Sequence, residues 1–244
     1  MTFFYIYKKI KHDWIIFLSI FILSCSHPIC EDIKGGGEVL KTKSIILKPG
    51  SEGKDAIISY RYPDSNYASS KSLSVITWKY LRNRDFENSF FDFDIEKAIP
   101  VNAKINKAVL KLYADTINQF ETKFGHINFI NVDNDNDNDI KTWKLNYITS
   151  SWTEDSITWN NQPQIEESDF VSVLGPKYYF QAFEIDVKKF VQKKLRKSPQ
   201  IYGFKMDFDH GDNSSSATIA LRFCSSDHQK SELWPELSIE YELE

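Results

Sequence analysis

The sequence predicts an all-β domain, an antiparallel β-sandwich with one short α-helix near residues 187-197, and three observations carry that prediction. Short runs rich in β-branched and aromatic residues recur along the chain, separated by Asn, Asp, Ser, Gly and Pro. Several runs alternate apolar and polar residues with period two, as a strand with one buried face does. Only one stretch carries helical spacing, so parallel βαβ units are excluded in favour of antiparallel pairing.

The expected strands lie near residues 44–48, 55–62, 72–81, 89–95, 107–114, 126–132, 144–151, 182–187, 202–208, 217–224 and 236–242. In the fourth, Phe91, Phe93 and Ile95 alternate with Phe90, Asp92 and Asp94. In the fifth, Ala108, Leu110 and Leu112 alternate with Val109, Lys111 and Tyr113. Phe204, Met206 and Phe208 alternate with Lys205, Asp207 and Asp209, and Leu237, Ile239 and Tyr241 with Ser238, Glu240 and Glu242. The helix follows from Val187, Phe190, Val191 and Leu195, which fall on one side of residues 186–197. Lys188, Lys189, Lys193 and Lys194 take the rest as a solvated face, and Asp186 is placed to cap the start.

The first residues set the expected compartment. Lys8, Lys9 and Lys11 form a basic segment, followed by an apolar run from Trp14 to Leu23. That run is too short for a bilayer core, which needs about 20 helical residues, and fits the apolar region of a signal peptide. Ile22-Leu23-Ser24-Cys25 resembles a bacterial lipobox, in which the cysteine thiol receives a diacylglycerol. The division expected is therefore a signal peptide over residues 1-24, a lipidated tether over 25-43 and a β-sandwich over 44-244. Lipid on Cys25 would hold the protein at the bacterial cell envelope, on the outer membrane or cell surface. A plain secretory signal cut nearby is the alternative. Gly35-Gly36-Gly37 lies within the polar tether.

Charge and motifs narrow the function. The chain of 244 residues has 30 basic and 34 acidic side chains, so no cationic face for nucleic acid is indicated. Cys30 and Cys224 are read as unpaired rather than as a disulfide frame. There is no Gly-rich phosphate loop, no His-Glu-x-x-His pattern and no Gly-x-Ser-x-Gly elbow. His12, His27, His126, His210 and His228 are scattered, and no pair of carboxylates is singled out for glycoside chemistry.

Three stretches are candidates for binding. Asp133, Asp135, Asp137 and Asp139 offer hard oxygen donors for Ca2+, although Asn138 and Lys144 stand where an EF-hand needs Gly and Glu, and a solvated insertion is the plainer reading. Trp78, Tyr80, Arg82 and Arg84 interleave aromatic rings with cations, a pattern suited to a sugar ring and a uronate carboxylate. A solvated hairpin is the competing account. Tyr178 and Tyr179, after the Gly175-Pro176 turn, form a second aromatic candidate. Trp152 and Trp159, by contrast, are expected to be buried with their N–H groups satisfied.

The segment from Trp152 to Pro163, Trp-Thr-Glu-Asp-Ser-Ile-Thr-Trp-Asn-Asn-Gln-Pro, resembles the W-T-E-x-x-x-T-W-N-x-x-P stretch of DNRLRE-type domains, which include carbohydrate-binding modules of family ninety-six. Other landmarks follow in order. Asp64-Ser65-Asn66-Tyr67 with Ser69 to Leu73 is similar to the opening D-x-N-Y-G-x-S-x-x-L, with Ala68 in place of Gly. Phe90 to Asp94 resembles L-x-R-F-D, with Asp92 where Arg is common. Lys107 to Tyr113, Phe183 to Gln192 and Pro235 to Tyr241 match further strands, so the resemblance spans residues 45–242. It implies a jelly-roll-like β-sandwich and, for some members, binding of acidic polysaccharides such as alginate.

The leading expectation is a non-catalytic carbohydrate-binding or adhesion lipoprotein whose partner is a polysaccharide, uronate-containing chains included. A structural or protein-interaction lipoprotein with a surface-protein partner is the second class. A polysaccharide lyase or hydrolase is the third.

Overall fold

A computed structural model, which describes residues 42–80, 83–116, 126, 142–197, 199–208 and 219–243, builds these segments into two antiparallel sheets. The first sheet joins β1 (Lys43–Leu47), β11 (Glu236–Glu242), β5 (Lys104–Leu112) and β8 (Phe183–Asp186) in that order. The second runs β10 (Ile219–Cys224), β3 (Ser72–Tyr80), β4 (Asn83–Phe93), β9 (Phe204–Phe208), β6 (Thr142–Ile148) and β7 (Ile165–Leu174). In addition β2 (Gly53–Ser59) pairs along β4. The all-β sandwich expected from the sequence is borne out.

Its core forms where the apolar phases of the two sheets meet. Ile105, Ala108, Leu110 and Leu112 of β5 are buried together with Phe91, Phe93, Trp143, Leu145 and Phe204 of the second sheet. Burying such side chains contributes roughly 1.5–3 kcal/mol each, which is what holds the sheets together. α2 (Lys188–Arg196) closes one side of this core, with Phe190, Val191 and Leu195 turned inward and the Phe190 ring 3.7 Å from that of Phe204. Asp186 Oδ1 accepts the Lys188 amide at 2.9 Å, although Val187 holds the N-cap position.

Four observations amend the strand and helix expectations. Phe90, expected on a wet face, is fully buried, because β4 is covered on both sides. β4 ends at Phe93, and Ile95 opens the short helix α1 (Ile95–Ala98) while remaining buried. β7 stands where no strand was expected. On α2 the lysines are not uniformly solvated: Lys194 is buried against Asp92 and Glu96, and Lys189 and Lys193 both reach Asp169 of β7. Of the expected strand 126–132 only His126 is among the described residues.

Two glycines let strands crowd the end of β4. A Cβ on Gly53 would meet the Asp92 carbonyl oxygen at 2.1 Å, and one on Gly203 would meet that of Phe91 at 2.2 Å. Gly203 also has φ +118°, a conformation that side-chain-bearing residues rarely adopt.

Candidate functional site

The stretch with two tryptophans wraps the outer face of β2, β4 and β6. Trp152 and Ile157 pack with Ala56, Ile58, Phe90 and Ile148 in a second cluster, and Trp159 lies half-buried against it. Trp152 Nε1 donates to the Tyr202 carbonyl at 2.8 Å. Asn66 staples the loop: its amide nitrogen donates to the carbonyls of Glu154 at 2.7 Å and Ile157 at 2.8 Å. Asn160 donates to Asp64 Oδ1 at 2.7 Å, so the segments around Asp64 and Trp159 meet in space. Asn161 Oδ1 takes the Thr158 amide at 2.6 Å, closing the turn before buried Pro163. Among the described non-glycine residues only Lys197 has positive φ, so Ala68 fills its position without strain.

Beside this loop the chain leaving β2 puts rings and a cation in solvent. Tyr60 and Tyr62 are 49% and 52% exposed, large values for tyrosine. The Tyr60 ring meets Trp159 edge-on at 5.4 Å and Phe86 at 5.8 Å, which holds it in place. The Arg61 guanidinium lies over the Tyr62 ring at 5.6 Å. Backbone bonds fix this segment to β4: the Tyr60 amide donates to the Phe86 carbonyl and the Arg61 amide to Asp85 Oδ1. The result is a rigid aromatic ledge with a guanidinium on it. It can stack on the C–H face of a pyranose and pair with an anionic substituent.

The sequence-predicted residues fall around this ledge and beyond it. Trp78 stands opposite Asp85 in the β3–β4 pairing, Tyr80 opposite Asn83 and Arg84 opposite Lys79. Asp85 thus joins Trp78 on one strand to Arg61 on the other side. Arg82 lies outside the described residues, as do Cys25, Cys30 and Asp133, Asp135, Asp137 and Asp139. Tyr178 and Tyr179 are each 59% exposed, on a turn that also exposes Phe180. That turn is fixed by His126, whose amide donates to the Tyr179 carbonyl. Sequence reading missed Tyr60, Arg61 and Tyr62 by treating them as the end of a strand. The Pro63-Asp64 turn directly after them was the available signal.

His126 is a core residue. It is fully buried between the rings of Phe183 and Phe223, and its Nδ1 accepts the Arg222 amide at 3.1 Å. The tautomer is thereby set, with Nε2–H facing the Gln181 carbonyl at 2.9 Å. Burial pushes its pKa down to about 4, so the ring is neutral near pH 7.

Glu154 of the tryptophan-rich loop joins a carboxylate cluster with Asp55 and Asp227, one oxygen of each within 4.8 Å of the others. Three such groups are hard donors of the kind Ca2+ takes. Asp55 is buried, with its carboxylate accepting the Ser226 amide at 2.8 Å and hydroxyl at 3.1 Å. Burial, chiefly, raises its pKa from 3.8 to about 7. Between those values the folded state holds a proton the unfolded chain has lost, so this group's contribution to stability falls as pH rises and its cost is complete above about pH 7. Asp55→Asn keeps an acceptor for the amide and gives a donor for the hydroxyl. Its melting temperature should gain on the wild type as pH rises from 4 to 8. Thermal melts across that range check this, and a pH-independent difference would mean that Asp55 is ionised throughout.

The model of carbohydrate-binding module family 96 matches residues 50–240. No curated protein matches the chain.

Proposed function

The chain belongs to carbohydrate-binding module family 96, and from that membership we propose a non-catalytic polysaccharide-binding protein, with uronate-containing chains as its ligand; the lipobox-like Ile22-Leu23-Ser24-Cys25 supports a lipid anchor on Cys25 at the bacterial cell envelope. The observation that carries the ligand class is the ledge of Tyr60, Arg61 and Tyr62 backed by Trp159. Stacking there needs a ring with an apolar face, and the guanidinium favours a carboxylate over a hydroxyl. Trp78, Tyr80, Arg82 and Arg84 remain candidate ligand contacts in this reading, and Tyr178 with Tyr179 forms a separate one.

The test is isothermal titration against oligouronates and neutral glucans. A charge-assisted hydrogen bond contributes about 1.5–3 kcal/mol, so Arg61→Ala with Tyr62→Ala should weaken uronate binding by roughly ten- to a hundredfold. The melting temperature should hardly move, because both side chains are exposed. Raised salt should reproduce part of the loss. Unchanged affinity in the double variant would remove the ledge from the site, and no binding to any glycan would favour a surface-protein partner. The anchor has its own check: Cys25→Ala should leave the detergent phase on partitioning, and normal membrane retention would overturn it.

A further inference from the structure

A second group of donors gathers at the end of β10, with no residue in common with the ledge. Cys224 ends β10, and its amide donates to the Tyr113 carbonyl at 2.9 Å. One step along, the Asp115 amide donates to the Arg222 carbonyl at 3.1 Å, and Ala114 bridges Phe223. These bonds fix Asp115 beside Cys224, both of them buried. The turn that follows brings back His228, whose amide donates to the Ser225 carbonyl at 3.3 Å. Trp234 Nε1 holds the His228 carbonyl at 2.7 Å, and the Ser225 amide is tied to Lys71. One ligand atom each of Asp115, Cys224 and His228 then lies within 4.8 Å of the others.

We propose that Asp115, Cys224 and His228 form a zinc site. The donor set is one sulfur, one nitrogen and one oxygen, which suits zinc and excludes calcium and magnesium, both takers of oxygen alone. Bond lengths of about 2.0–2.3 Å put tetrahedral ligand atoms roughly 3.3–3.8 Å apart, so the three need only close by about an ångström. The Cys-x-x-x-His spacing turns the last strand residue and the end of its turn toward one point. Ser72 Oγ donates to Asp115 Oδ2, orienting that carboxylate as an outer-shell partner does. On binding, the ion displaces the thiol proton of Cys224 to solvent and takes the thiolate. The Lys230 amide gives up its 3.2 Å bond to His228 Nδ1, since either ring nitrogen as ligand requires that. Three protein ligands leave a fourth position for water beside the half-exposed His228.

Such an ion would tie the 225–228 turn to the end of β5. Ser226 and Asp227 in the same turn face Asp55, so the two clusters share one short segment.

Cobalt(II) and zinc(II) titrations of the purified full chain test this. One equivalent of cobalt should bind with a thiolate-to-metal charge-transfer band, zinc should displace it, and zinc but neither Ca2+ nor Mg2+ should raise the melting temperature. Cys224→Ser should abolish the band. His228→Ala, on a turn whose loss leaves the core intact, should weaken zinc binding by at least the roughly 10–100-fold that loss of an outer-shell partner costs. A wild-type protein with no band and a zinc-insensitive melting temperature overturns the proposal. So does a band that survives Cys224→Ser with unchanged affinity, which would put the thiolate at another cysteine such as Cys30, and so does unchanged zinc affinity in His228→Ala.

Discussion

Trp152→Ala should cost about 3–5 kcal/mol of stability, the range for truncating a large buried aromatic. The indole is nearly buried, its ring 5.8 Å from that of Phe90 and capped by the Lys54 ammonium 4.3 Å from its centroid. Truncation opens a cavity on the outer face of β4 and leaves the Tyr202 carbonyl without its donor. Domains of this size are stable by roughly 5–15 kcal/mol, so the variant should be marginal at growth temperature. Trp159→Ala should cost less, because that ring is only half-buried. Urea unfolding measures both. A Trp152→Ala protein with an unchanged midpoint and lost polysaccharide binding would make the indole a ligand platform instead.

Lys194→Met should be nearly as damaging, about 3–5 kcal/mol, for an electrostatic reason. The Lys194 side chain is 5% exposed and that of its partner Asp92 13%, with Glu96 at 3.9 Å. Methionine fills much the same volume, so the cost is a buried carboxylate left without its cation. Lys54 nearby offers partial compensation, which places the effect toward the lower end. The same reasoning requires rescue. Asp92→Asn added to Lys194→Met should recover a large part of the loss, since neither partner then carries a buried charge. A double-mutant cycle on urea midpoints reads this coupling. Strict additivity would show that the pair is solvated in solution and that α2 is held by Phe190 and its apolar neighbours alone.

What the sequence made legible was the alternation. β5, β9 and β11 each bury one phase of side chains, and that phase can be read from Leu110, Met206 or Ile239 without coordinates. β7 was invisible for a physical reason. Among the described strands it pairs with β6 alone, and after Ile165 its first half is Glu166, Glu167, Ser168 and Asp169. The register also jumps there, from Asn146 opposite Phe170 to Tyr147 opposite Glu166. Asp169 serves α2 rather than the core, and although burial alternates from there to Leu174, the outward Phe170 and Leu174 are as apolar as the inward Val171 and Val173, so the sequence shows no period of two. Likewise the burial of Lys194 depends on Asp92, over a hundred residues earlier and on another element. The departure at Asp92 from the commoner arginine gains sense only once Lys194 is seen to meet it. The ledge of Tyr60 to Tyr62 was hidden because a strand end and an exposed loop share the same aromatic composition.

The pairing of β1 with β11 governs how this domain can come to be. Lys43 stands opposite Tyr241 and Leu47 opposite Leu237, with nearly the whole domain between them in sequence. The β3–β4 hairpin can form in microseconds from neighbouring residues, but among the described strands β1 has no partner until β11 exists. Closing so long a loop comes late, and topologies dominated by such distant pairings fold over milliseconds to seconds. A growing chain therefore carries β1 unpaired until β11 has been made, with Ile45 and Leu47 exposed and open to aggregation. The first sheet is completed in one step, once the seven residues of β11 are there to pair with both β1 and β5.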